Sequence, residues 1–175
     1  MGDPRKPRKK YLDGKPRKLW NRELLETELR LLGEYGLRNK RELWSARALL
    51  RAIKHRARSL LSMPAEQRAK LEAEFKERLL RMGLITDPTM PLDAVLSLDV
   101  SAVLDRRLQT LVYRKGLAKT IYEARQLVTH GHIAVNGRVI RSPGYLVPRD
   151  LEDKITYAIN SPILKRLLQQ PQTQG

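Results

Sequence analysis

The chain has 175 residues, carries 35 Lys and Arg against 19 Asp and Glu for a formal charge of +16, and contains no Cys. That length suits one domain or two small ones, the charge points to a polyanionic partner, and the absence of Cys excludes a disulfide framework and a thiolate zinc site. No apolar run approaches the ~20 residues that span a bilayer, and the start, MGDPRKPRKKY, lacks a signal peptide's apolar core, so a cytoplasmic protein with no membrane span is expected. The charge alone would also suit an anionic membrane surface or a highly basic enzyme.

The charge is unevenly spread. Residues 1–60 hold 18 Lys and Arg against 7 Asp and Glu, residues 61–100 hold 5 against 7, and residues 101–150 hold 9 against 3. Two basic blocks therefore flank a near-neutral middle. In the first, Pro4, Pro7 and Pro16 forbid a regular helix and the charge forbids a core, so residues 1–18 read as an extended arm that orders on a partner, or else as a solubilising tail. From Asn21 to Gly36, the residues Leu24, Leu25, Leu29 and Leu32 recur at helical spacing. Asn39 opens a second helix with Glu42 three residues on. There Ala46, Leu49, Leu50, Ile53, Ala57 and Leu60 make an apolar stripe, while Arg47, Arg51, Lys54 and Arg58 fall on another, with His55 beside them. A solvated face would mix signs, so four cations in line read as a face that meets phosphate.

A third helix follows Pro64 and looks like scaffold. Its carboxylates and cations pair at i,i+4 (Glu66 with Lys70, Glu72 with Lys76, Glu74 with Arg78, Glu77 with Arg81), and Leu71, Phe75, Leu79 and Met82 line the other side. Gly83 ends it, and TDPTMPLD (86–93) reads as a connector.

From Ser101 the spelling tightens. SAVLDRRLQTLVYRKG predicts one helix stopped by Gly116, and KTIYEARQLVTHG a second, capped by Thr120 with Glu123 and stopped by Gly131. Ile121, Ala124, Leu127 and Val128 would face inward, leaving Tyr122, Arg125, Gln126 and Thr129 outward. HIAV and RVI are strands joined by Asn136-Gly137, the strongest short-range sign of a tight hairpin. YLV and KITYAI read as further short strands. Arg106, Arg107, Arg114, Lys115, Lys119, Arg125 and Arg138 gather at helix ends and turn. So small a unit presents one surface with phosphate-sized donors. Asn136 serves either the turn or a ligand, and Tyr113, Tyr122 and Tyr145 suit packing more than stacking.

Residues 106–148 resemble the S4 RNA-binding domain, whose signature joins an Arg-Leu helix start, a Gly-Leu-Ala-x-Ser/Thr link, Glu-Ala-Arg-Gln and Gly-His-x-x-Val-Asn-Gly. These stand here as Arg107-Leu108, Gly116 to Thr120, Glu123 to Gln126 and Gly131 to Gly137. The basic start, the helical lead-in and PRDLEDKITY extend the resemblance to the archaeal form of the uS4 family of small-subunit ribosomal proteins. The fold so implied is α+β: a basic extended arm (1–18), a helical domain (19–100), an S4-type domain of two helices and a β-hairpin (101–160) and a C-terminal tail (161–175).

The resemblance implies a primary binder of 16S rRNA in its 5′ region that nucleates assembly, contributes to the messenger entrance and to translational accuracy, and neighbours protein uS5 and other small-subunit proteins. Carried over by position, the RNA-facing set is Arg107, Lys115, Lys119, Thr120, Arg125, Gln126, Asn136 and Arg138, with His130 and His132 beside them. It joins the helical stripe of Arg47, Arg51, Lys54 and Arg58. Many bacterial members have a Cys-rich zinc-binding N-terminus; without Cys, neither that metal nor that region's fold carries over, and no cofactor or small-molecule substrate is implied.

An enzyme is the first rival. The chain has no G-x-G-x-x-G, no phosphate loop, no G-x-S-x-G and no H-E-x-x-H, and the two His at 130 and 132 make a poor metal pair without further ligands. A ribosome-assembly factor with the same domain is the second, separable by occupancy of the mature subunit. Nonspecific DNA binding is the third, separable by preference for folded RNA.

Overall fold

The computed structural model describes residues 10–164, apart from the side chains of Lys10, Ala65 and Glu66. They form two compact units. The first contains the described residues up to Met63 together with Pro91–Val100; the second contains Pro64–Met90 and the described residues from Ser101.

In the first unit, α1 (Arg22–Glu34) is capped by Asn21, whose side chain accepts from the Glu23 amide, and α2 (Lys40–Leu61) by Asn39, which accepts from Glu42. The predicted stripe of α2 is its buried face: Ala46, Leu50, Ile53, Ala57 and Leu60 are buried, as is Leu43 one turn earlier. On α1 the inward face turns differently from the expectation. Leu29 is 61% exposed, and the helix instead buries Glu28 at 1% exposure. The reason lies across the interface, where α2 supplies three donors to that carboxylate: Arg47 at 2.5 Å, Trp44 Nε1 at 3.1 Å and Lys40 at 3.2 Å. A buried carboxylate persists where it is paired and hydrogen-bonded in this way.

The N-terminal arm is not extended throughout. Residues 1–9 lie outside the described part, but Lys10–Gly14 form a 3-10 helix packed on α2. A single such turn fits between the prolines. The approach is close enough that a Cβ at Gly14 would stand 1.9 Å from the Trp44 carbonyl oxygen. The expected connector is irregular up to Pro91, and a short helix, α4 (Leu92–Ser97), which begins in its last two residues, completes this unit, burying Leu92 and Val95.

The second unit begins with α3 (Ala65–Met82), which the linear reading grouped with the N-terminal helices. Its scaffold character holds: Glu72 pairs with Lys76 at 2.8 Å and Glu77 with Arg81 at 3.0 Å, and Arg68 joins Glu72 at 2.9 Å. The expected Glu74–Arg78 pair is not made among the described residues, and the expected Glu66–Lys70 pair rests on a side chain that lies outside them. Gly83 ends the helix at φ +71°, and a Cβ there would fall 2.7 Å from the Arg106 guanidinium carbon.

The single helix expected over 101–116 is two, α5 (Val100–Asp105) and α6 (Leu108–Arg114). The chain breaks at Arg107, extended at φ −71°, ψ 141°, because its neighbours bond to a distant segment. Leu108 N donates to Tyr145 O at 2.8 Å, Gln109 N to Pro143 O at 3.3 Å, and Val147 N to Arg106 O at 3.0 Å. The amides that open α6 are thus satisfied by residues 143–147, which form a bridge at Arg107–Leu146 in place of the expected YLV strand.

After Gly116 the predicted order is found. Helix α7 (Ile121–Thr129) leads to β1 (Ile133–Val135), the Asn136-Gly137 turn, β2 (Arg138–Val139), a 3-10 turn at Arg149–Leu151 and β3 (Ile155–Tyr157). Asn136 and Gly137 both have positive φ, 51° and 76°, as a type I′ hairpin requires. The antiparallel sheet runs β2-β1-β3, with Ala134 opposite Val139 and Thr156. One core joins these elements: Leu108, Leu111 and Val112 of α6, Ala124, Leu127 and Val128 of α7, Ile133 and Val135 of β1, with Val147 and Ile155.

Candidate nucleic-acid interface

Helix α7 is set by its N-terminus. Thr120 Oγ1 accepts from the Glu123 amide at 3.1 Å, and Glu123 Oε2 accepts in return from the Lys119 amide at 2.6 Å. The capping is therefore reciprocal, as the sequence suggested, with its return bond one residue upstream of the cap. With Ala124, Leu127 and Val128 committed to the core, Tyr122, Gln126 and Thr129 are left exposed along one ridge that ends at the exposed His130. Tyr122 is 62% exposed and Tyr113 45%, so neither is the packing residue expected; Tyr145 is half-buried against the core.

Arg125 is not simply outward. It is half-buried, and its Nη1 donates at 3.1 Å to Oε1 of Gln109, a side chain with 0% exposure whose Nε2 donates to Ile121 O at 3.1 Å. A buried amide thus ties the start of α7 to α6 and holds the guanidinium. Pattern reading missed Gln109 because a polar residue on a helix scores as surface. The β3 end is tied similarly: Tyr157 Oη donates to Leu117 O at 2.5 Å. Burial, with the nearby Glu123 adding to it, raises the phenol's pKa and keeps it a donor.

The structure sorts the cations of this unit by partner. Arg106 binds Glu152 at 2.6 Å and Val147 O at 2.9 Å, Arg114 binds Asp105 at 2.5 Å, and Lys115 lies 3.6 Å from Asp153. Arg107, placed in the RNA-facing set by position, is only 6% exposed, with its guanidinium packed by Gly144. Its surroundings fit it to holding residues 143–147, the segment that breaks the predicted helix. Lys119, Arg138 and Arg141, by contrast, are exposed and have no carboxylate partner among the described residues. Arg141 was not singled out from the sequence, where an Arg after a strand carries no distinguishing pattern.

The hairpin carries a shallow groove of about 650 Å³ beside Arg141, lined also by His130, His132, Gly137, Val139 and Asn160. The two imidazoles stack with centroids 6.2 Å apart and planes 10° from parallel, and His132 Nδ1 is 3.1 Å from Ser161 Oγ. Among the described residues no group of three or more His, Cys, Asp or Glu could hold a metal ion. The groove is open and offers imidazole, guanidinium and amide hydrogen bonding. Asn136 and Arg138 stand exposed at the adjoining turn.

In the first unit the predicted cation stripe divides. Arg47 is spent on Glu28 and Arg51 donates to the Asp13 carbonyl, so both hold the fold together. Intrahelical spacing could not reveal this, since both partners come from elsewhere in the chain. Lys54 and Arg58 remain without a carboxylate partner among the described residues, as do Arg17, Lys18 and Arg56. Polyanion contact needs such cations, because an internally paired one has less charge to offer a phosphate.

The S4 domain family matches residues 106–153, the stretch that builds α6, α7 and the hairpin. The chain is 65% identical over 175 residues to small ribosomal subunit protein uS4 of Caldivirga maquilingensis, a match covering 100% of the chain and 97% of that protein. It is 69% identical over 156 residues to the protein of the same name from Pyrobaculum islandicum, covering 89% of the chain and 98% of the relative. With that of Ignicoccus hospitalis it shares 59% over 169 residues, 97% of the chain and 100% of the relative.

Proposed function

That the chain belongs to the family of small ribosomal subunit protein uS4 is the premise from which we propose its particular role. It is a non-enzymatic, structural constituent of the small ribosomal subunit that binds RNA, and it works in the cytoplasm with the ribosome. Its proposed role is that of a primary binder of 16S rRNA in the 5′ region. There it nucleates assembly, and in the finished subunit it contributes to the messenger entrance and to accuracy, beside uS5.

The observation that carries this reading is the separation of cations in the second unit. Those with carboxylate partners hold the fold, while Lys119, Arg138 and Arg141 stand exposed around the α7 ridge and the hairpin with no such partner among the described residues. Phosphates neutralised by such cations release counterions, and each steepens the fall of log K with log salt by roughly 0.7–0.9. Gln126, Thr129 and Asn136 add neutral hydrogen bonds suited to riboses and base edges in an irregular RNA surface. Thr120 contributes position, since its oxygen already caps α7.

The test is filter binding to a 5′-region fragment of 16S rRNA, against excess tRNA, over a salt series. Binding that survives tRNA, with a slope reporting several phosphates, is expected. Binding abolished by tRNA would reduce the charge to generic attraction and overturn the reading. Quantifying the protein in purified small subunits then separates a resident, at one copy per particle, from a factor that leaves.

A further inference from the structure

The protein has two Trp residues, and the fold treats them in opposite ways. Trp44 is half-buried with its Nε1 donating to Glu28 at 3.1 Å, whereas Trp20 is 90% exposed. Indole is the largest side chain available and gains most from leaving water, so one left bare adds nothing to folding but can contribute heavily to binding. Trp20 directly precedes Asn21, the cap of α1.

Its surroundings indicate what it binds. Residues 15–22, KPRKLWNR, contain Lys15, Arg17, Lys18 and Arg22 and no carboxylate, and all four cations are exposed. Arg22 is paired with Glu26 of α1, while Arg17 and Lys18 have no carboxylate partner among the described residues. The cores of protein–protein interfaces are depleted of Lys around their aromatic anchors, and two of these cations are Lys. An exposed flat apolar ring flanked in the chain by exposed cations instead suits a flat apolar group attached to anions. An unpaired nucleotide is such a group: a base to stack, with phosphates on either side.

We infer that Trp20 is a stacking platform for an unpaired base of the small-subunit rRNA, with Lys15, Arg17 and Lys18 receiving the flanking phosphates. This deepens, and rests on, the RNA-binding role proposed above.

The test uses the full chain and the same 5′-region RNA fragment. Trp20→Ala should weaken binding by roughly 5- to 150-fold, the range for one lost base–aromatic stack, while leaving the salt slope unchanged because no charge is removed. Trp20→Phe should recover much of the loss. In protein labelled with 5-fluorotryptophan, the 19F resonance that Trp20→Phe removes should shift on RNA binding and lose its sensitivity to D2O. A salt-slope change in Trp20→Ala would indicate an electrostatic effect and overturn the inference. So would unaltered affinity with a solvent-exposed indole in the complex, which would leave RNA binding intact and Trp20 to a protein neighbour. Failure of the unmodified protein to bind the fragment in the presence of tRNA would remove the proposed function and this inference together.

Discussion

Replacing Glu28 by Gln tests whether a buried charge cluster holds α1 to α2. The carboxylate is 1% exposed and faces three donors, Arg47 at 2.5 Å, Trp44 at 3.1 Å and Lys40 at 3.2 Å. Gln keeps the shape and one carbonyl acceptor, but it removes the charge and turns amide hydrogens toward two cations. Removing one partner of a fully buried pair costs about 3–5 kcal/mol. The Arg47 and Lys40 side chains are 21% and 29% exposed, so water recovers part of their solvation. The expected loss is therefore about 2–3 kcal/mol. At a urea dependence of roughly 1–3 kcal/mol per molar, the midpoint followed by helix circular dichroism should fall by about 0.7–3 M. A double-mutant cycle with Arg47→Met should return a coupling of about 1 kcal/mol or more, since the two side chains touch. Arg22→Ala supplies the control. It breaks a pair whose side chains are 91% and 63% exposed, and should cost under about 0.5 kcal/mol. If Glu28→Gln costs no more than that control, the cluster is incidental and the reasoning fails.

Three further outcomes are expected. Gly83→Ala should cost about 1–3 kcal/mol in thermal or urea melts, because the site has φ +71° and the new Cβ would meet the Arg106 guanidinium; a neutral substitution would show that Arg106 can shift without loss. Glu72 has its pKa lowered chiefly by the hydrogen bond from Lys76, with Arg68 adding to it against partial desolvation. Its stabilisation is thus fully present above the usual carboxylate range and is lost as pH falls through the lowered folded value. The gap in melting temperature between wild type and Glu72→Gln should close over that interval, and a gap independent of pH would refute the pairing. Arg125→Lys keeps the charge but loses the fixed bond to Gln109; RNA affinity in the filter assay should fall by about 1 kcal/mol with the salt slope unchanged, and equal affinity would mean that only the charge matters.

Local signals in the sequence were read correctly where the chain decides its own conformation. Asn39 and Thr120 cap helices, Gly83, Gly116 and Gly131 adopt positive φ at helix ends, and Asn136-Gly137 turns the hairpin, all through contacts within a few residues. The apolar stripe of α2 and the inward face of α7 follow from helical periodicity alone. So did the resemblance that led to the S4 domain, since its motifs are local spellings at fixed spacing.

What needed tertiary structure is every feature whose partner is distant in sequence. The break between α5 and α6 comes from bonds to residues 143–147, the burial of Glu28 from donors on another helix, and the burial of Gln109 from Ile121 O and Arg125. The same holds for the site. Composition and pattern could say that the chain would meet a polyanion, because net charge is a sum and needs no geometry. Only the fold could decide that Arg47, Arg51, Arg106 and Arg107 serve inside the protein while Lys119, Arg138 and Arg141 stand exposed without carboxylate partners among the described residues, because a cation's availability depends on which acceptor the folded chain brings to it.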